Sequence, residues 1–67
     1  MRKQINQEVL TSTEIEILQQ LSLGLMYKEI ADLRQVKLDT IKKHASNAYR
    51  KLGVRNKTEA LNALFRS

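Results

Sequence analysis

Between Leu38 and Val54 the chain reads LDTIKKHASNAYRKLGV, and its apolar residues recur in steps of three, four and one. Wound as an α-helix, that spacing sets Leu38, Ile41, Ala45, Ala48, Tyr49 and Leu52 on one face. The other face carries Asp39, Lys43, Ser46, Asn47 and Arg50, with Lys42, His44 and Lys51 on its flanks. Nothing in the sequence alternates with period two over a useful length, so no strands are expected. An amphipathic helix must bury its apolar stripe against another element. With 67 residues there is room for one small domain. The solution is therefore a set of short helices around one core.

Punctuation along the chain divides it into four such helices. Thr11-Ser12-Thr13-Glu14 fits a capping box, in which the threonine hydroxyl accepts from the backbone three residues on and the glutamate reaches back. The first helix then runs to about Leu23 with Ile15, Leu18 and Leu21 inward, and Gly24 stops it. A second covers Tyr27 to Arg34, with Ile30 and Leu33 inward. A turn around Gln35 to Lys37 leads into the third, which starts at Leu38 and ends at Gly53, where Val54 makes the apolar contact of a Schellman motif. Asn56-Lys57-Thr58-Glu59 resembles a second capping box and opens a fourth helix that reaches about Phe65. Residues 1–10 read as an N-terminal arm, with Val9 and Leu10 the first candidates for burial, and residues 11–67 as the domain. The expected fold is all-α, a compact four-helix bundle containing a helix-turn-helix.

Several chemistries are disfavoured by what the sequence lacks. There is no cysteine, hence no disulfide and no thiolate metal site, which agrees with a reducing, cytoplasmic setting. His44 is the only histidine, so no metal is expected. No apolar run approaches the roughly 20 residues of a membrane span, and MRKQINQEVL lacks the apolar stretch of a secretory signal. Glu14 and Glu16 point to different sides of a helix, and Glu29 with Asp32 lies on an exposed face, so acid–base catalysis is not expected. No glycine-rich phosphate loop is present. The chain reads as a binding module, without catalytic residues or cofactors.

What it binds is indicated by charge. Residues 8–32 sum to −4, whereas residues 34–57 sum to +7, with eight cations against Asp39. The basic half calls for a polyanion. A short helix, a tight turn and a longer basic helix form a helix-turn-helix, whose second helix fits the major groove of B-DNA with its N-terminal part reaching base edges. Asp39, Lys42, Lys43, Ser46 and Asn47 occupy that part. Small residues such as Ala45 and Ala48 let this helix pack closely on the others and hold it rigid. The alternative is a basic amphipathic interaction module, or one lying on an anionic membrane surface. Surface helices carry bulky apolar anchors, whereas this one offers two alanines.

The blocks LTSTEIEILQQLSLGL, YKEIA, DTIKKH and SNAYRKLGVRNKTEAL, in this order, resemble the LuxR-type (GerE-type) helix-turn-helix domain over about Leu10 to Leu64. The resemblance implies a compact four-helix bundle that regulates transcription, often as the output domain of a two-component response regulator. Its third helix would enter the major groove of double-stranded DNA. Thr40, Ile41, Lys42 and His44 match the family's Thr-Val-Lys-x-His element. By resemblance Lys42, Lys43 and Ser46 face bases, with Asn47 beside them, while Lys28, Thr40 and His44 meet the backbone. Arg50, Lys51, Arg55 and Lys57 would extend the basic rim. The resemblance also implies a homodimer on DNA through the fourth helix, by way of Ala60, Ala63 and Leu64, and RNA polymerase as a further partner. Met26 and Lys37 stand where the family usually has small polar helix caps, and a lost cap costs about 1 kcal/mol. Leu33-Arg34 reverses the usual polar-then-apolar order at the end of the second helix.

Overall fold

The computed structural model describes residues 10–65. Val9 and the rest of the expected arm, residues 1–8, lie outside the described residues. Four helices follow in order: α1 (Ser12–Ser22), α2 (Tyr27–Arg34), α3 (Leu38–Leu52) and α4 (Lys57–Phe65). Among the described residues there is no strand.

Each helix end has a local cause. The Thr11 hydroxyl accepts from the Glu14 N–H at 3.0 Å, and the Glu14 carboxylate accepts from the Thr11 N–H at 3.0 Å, which completes the expected capping box. Gly24 adopts φ +96° after α1, and Gly53 adopts φ +73° after α3. The Val54 N–H then donates to the Tyr49 carbonyl at 3.0 Å, the backbone bond of a Schellman motif. Met26 has no polar side chain, but its N–H donates to the Glu29 carboxylate at 2.8 Å, so one half of a cap survives. Lys37 makes no side-chain cap at the start of α3. At α4 the Asn56 amide oxygen accepts from the Glu59 N–H at 3.0 Å, while the Glu59 carboxylate takes the N–H of Arg55, not that of Asn56, at 2.8 Å.

The turn between α2 and α3 rests on Gln35, the one non-glycine residue with positive φ among those described, at φ 58°. Its left-handed conformation lets the Val36 N–H donate to the Ala31 carbonyl at 3.0 Å and closes α2 as a glycine would. A residue with a Cβ pays roughly 1–2 kcal/mol there, part of which glycine's greater freedom in the unfolded chain offsets. Gln35→Gly should therefore raise stability by about 0.5–1 kcal/mol in urea unfolding, where an alanine would lower it.

The core collects Ile17, Leu18 and Leu21 from α1, Ile30 and Ala31 from α2, Ile41 and Ala48 from α3 and Ala60 from α4. Leu10, Leu25, Tyr27, Tyr49, Leu52, Val54, Leu61 and Leu64 pack around it. Helix α3 lies at the centre and touches each of the other three. Ile17, Leu18, Ile30 and Ile41 are essentially fully buried, each contributing about 1.5–3 kcal/mol.

Four expectations about the interior are corrected. On α1 the inward stripe is Glu14, Ile17, Leu18 and Leu21, and Ile15 is only half-buried. The stripe is rotated because Glu14, a charged residue, faces inward. On α2 Leu33 is 65% exposed and Ala31 is buried in its place. Tyr27, Ile30 and Ala31 share the inner side at helical spacing, and Leu33 falls beyond it. On α3 Leu38, the first residue of the helix, is 37% exposed. On α4 Ala60 is fully buried, whereas the resemblance implied a place for it at a dimer contact. The stripe of α4 is Ala60, Leu61 and Leu64, spaced one and three residues apart.

Candidate nucleic-acid interface

The exposed side of α3 is fixed by its buried side. Ile41, Ala45 and Ala48 point into the protein, and two of the three are alanines, so the α3 backbone sits close to its neighbours. Asp39, Lys42, Lys43, Ser46 and Arg50 are then left exposed from the first turn of the helix to its last. The helix runs 15 residues, long enough to project a face into a groove. Lys42, Lys43 and Ser46 thus share one open surface. Asn47 is half-buried, and its amide oxygen accepts two N–H bonds from the Arg50 guanidinium at 3.2 and 3.3 Å.

The groups expected at the DNA backbone are more scattered. Lys28 is exposed on the first turn of α2. Thr40 and His44 are half-buried on the flank of α3. Arg55 and Lys57 are exposed at the turn into α4, and Arg55 is paired with Glu59 at 2.8 Å. That hydrogen bond and charge hold the Glu59 carboxyl below its ordinary value.

Lys51 is differently placed. Its ammonium lies 2.9 and 3.1 Å from the two Glu14 oxygens, and its side chain is 27% exposed against 4% for Glu14. This pairing directs the charge inward, where it ties α3 to α1. Burial pushes the Glu14 carboxyl up. The Thr11 N–H bond, the Lys51 hydrogen bond and charge, and the His44 charge together outweigh burial and hold it below its ordinary value. The pair was hidden in the sequence because a lone glutamate reads as surface. Its signal was spacing, since Glu14 precedes Ile17, Leu18 and Leu21 by three, four and seven residues.

A second cross-link orients α3 against α2. The hydroxyls of Tyr27 and Tyr49 hydrogen-bond at 2.5 Å, and burial followed by that bond pushes the Tyr49 hydroxyl above its ordinary pKa. Arg34, at the end of α2, reaches Glu16 at 3.2 Å and Gln20 at 3.4 Å on α1. The reversed Leu33-Arg34 order therefore turns the cation toward α1 and the leucine toward solvent.

Of the three residues expected at a dimer contact, Ala60 is removed by its full burial. Leu64 is half-buried against the protein's own core, and Ala63 is exposed. Among the described residues no helix is long and apolar enough to cross a membrane, and no group of acidic or histidine side chains could hold a metal ion.

Comparison with known proteins agrees with this architecture. The family described as bacterial regulatory proteins, luxR family, matches residues 8–64. The chain is 47% identical over 51 residues to the transcriptional regulatory protein LnrK of Bacillus subtilis (strain 168), covering 76% of this chain and 23% of that protein. It is 40% identical over 52 residues to the nitrate/nitrite response regulator protein NarP of Escherichia coli (strain K12), covering 78% of this chain and 24% of that one. It is 39% identical over 54 residues to the response regulator protein VraR of Staphylococcus aureus (strain Mu3), covering 81% and 26%. The chain thus spans about a quarter of the length of the curated relatives it matches. No solved structure matches it. A rigid basic helix presented by a four-helix core, and a family match over nearly its whole length, lead to one conclusion: the chain belongs to the luxR family of bacterial regulatory proteins, as a sequence-specific DNA-binding helix-turn-helix domain of transcriptional regulation.

Proposed function

We propose that α3 lies in the major groove with Lys42, Lys43 and Ser46 toward the base edges and Asn47 beside them. Lys28, Thr40, His44, Arg50, Arg55 and Lys57 line the phosphates on either side, with Lys51 at the edge of this rim and paired to Glu14. One observation carries this reading: the exposed face of α3 bears Lys43 and Arg50 opposite a buried stripe of Ile41, Ala45 and Ala48, with Lys42 exposed on its flank. Such a helix is held by its small residues and read by its large ones. The role is binding without catalysis, in the cytoplasm, with residues 11–67 as the DNA-binding unit. By analogy with NarP and VraR, named as response regulators, the unit serves as the output domain of a longer regulator that addresses RNA polymerase.

Binding to duplex DNA should weaken steeply with salt. If about five phosphates are neutralised, the logarithm of the binding constant falls with the logarithm of salt at a slope of about −4 to −5 per protomer. A flat response in such titrations, or equal pelleting with anionic liposomes, would favour the membrane-surface alternative.

The same reading includes a homodimer on DNA through α4, with half-sites about one helical turn apart. Support comes from Ala63, a small exposed residue on the helix whose other side closes the core. Ala63→Glu should lower occupancy of a two-site duplex and leave single-site binding unchanged. A parallel loss on both duplexes would show that the residue serves the fold.

A further inference from the structure

Leu38 is the first residue of α3 and 37% exposed, and Val36, in the turn before it, is 42% exposed. The expected inward position of Leu38 is not realised: the core around α3 is filled by Ile41 and Ala48 without it. An apolar side chain at this point is conspicuous in its company. Lys37 precedes it, Asp39 follows it, and Lys42 stands one turn further along the same side. These neighbours are exposed and mostly cationic.

The geometry points to Leu38 as a specificity-determining residue that packs on the C5-methyl group of a thymine in the major groove. This rests on α3 being the groove helix. Residues at the N-terminus of such a helix reach base edges, and thymine is the one base that offers a methyl group there. The charge around Leu38 selects the occupant. A surface carrying Lys37, Lys42 and Lys43 complements a polyanion, so the apolar contact is made within the DNA interface and not with a separate apolar protein. Leu33, 65% exposed at the end of α2, lies outside the recognition helix and takes no part. The leucine thus adds a shape and dewetting preference for A·T pairs beside the hydrogen bonds that Lys42 and Lys43 offer to guanine.

The test begins with duplexes selected from a random library by the 67-residue chain itself. Each thymine of the selected half-site is then replaced singly by deoxyuridine, which deletes the methyl group and keeps the base pair and its O4 acceptor. Wild type should lose about fourfold in affinity at one or two positions, the value of one buried methyl-sized group. Leu38→Ala should bind the thymine and uracil duplexes within about twofold of each other at those positions, since the surface that packs on the methyl is gone. Leu38→Met, which keeps the apolar bulk, should restore the difference. Circular dichroism of both variants checks that the fold is retained.

A selected site without thymine, wild-type indifference to uracil at every position, or an equal loss in wild type and Leu38→Ala would each overturn the assignment. If steep salt-dependent duplex binding persists in those cases, the groove-helix reading stands and only the role of Leu38 falls. Absence of duplex binding altogether would remove both.

Discussion

Lys51→Ala should destabilise the protein by about 2–3 kcal/mol, lowering the melting temperature by roughly 10–20 °C at neutral pH. The side chain removed is a partly exposed lysine, a kind of substitution that usually changes stability by less than about 0.5 kcal/mol. Here it leaves the Glu14 carboxylate, 4% exposed, without its counter-ion. Breaking a fully buried pair costs about 3–5 kcal/mol. The 27% exposure of Lys51 lets water reach the gap and reduces that figure. The asymmetry predicts an order: Glu14→Gln should cost less, since the ammonium left behind reaches solvent and the amide still accepts from Thr11.

The pH dependence separates this account from loss of packing. The Glu14 carboxyl lies below its ordinary value of 4.5 in the folded protein. Its ionised form is therefore the one that folding favours. The contribution is fully present above 4.5 and is lost as pH falls through the depressed folded value. Without Lys51, burial is opposed only by the Thr11 bond and His44, and the carboxyl moves upward. The gap between wild type and Lys51→Ala should be widest near neutral pH and narrow in acid. A gap independent of pH would assign the loss to the lysine's methylene chain.

Where sequence and structure agree, the reason is local. Thr11 with Glu14, Gly24, Gly53 and Asn56 each act on backbone within a few residues, and α1 begins and ends, α3 ends and α4 begins where these residues stand. The buried stripe of α3 was legible too, because Ile41, Ala45 and Ala48 keep helical spacing. The differences arise where a distant partner decides. Glu14 faces inward only because Lys51, 37 residues further on, meets it. Gln35 adopts a glycine's conformation because the turn demands it, and nothing in its side chain announces that. Ala60 and Ala63 are the same residue type, and which one closes the core depends on where α4 docks. The charged face behaved likewise: the cation excess of residues 34–57 was visible, but Lys51 points inward and Arg34 reaches back to α1.

Lys43→Ala should cost about 1–3 kcal/mol on the preferred duplex and flatten discrimination at one or two base pairs. Lys43 is exposed, opposite the buried stripe and one turn into α3, so in the proposed complex it faces the floor of the groove. An ammonium there donates to guanine O6 and N7, and its loss matters only where guanine is present. Lys28 lies in the first turn of α2, which the proposed complex sets away from that floor and against a phosphate. Removing it deletes one non-specific ionic contact.

The central claim, that the exposed face of α3 reads sequence while the remaining cations hold the backbone, is tested by titrating both variants against preferred and scrambled duplexes at two salt concentrations. The account predicts that Lys43→Ala weakens the preferred duplex selectively, whereas Lys28→Ala weakens both duplexes about equally and lowers the salt slope by roughly one. Equal weakening of both duplexes by Lys43→Ala, or a change of sequence preference in Lys28→Ala, would contradict it.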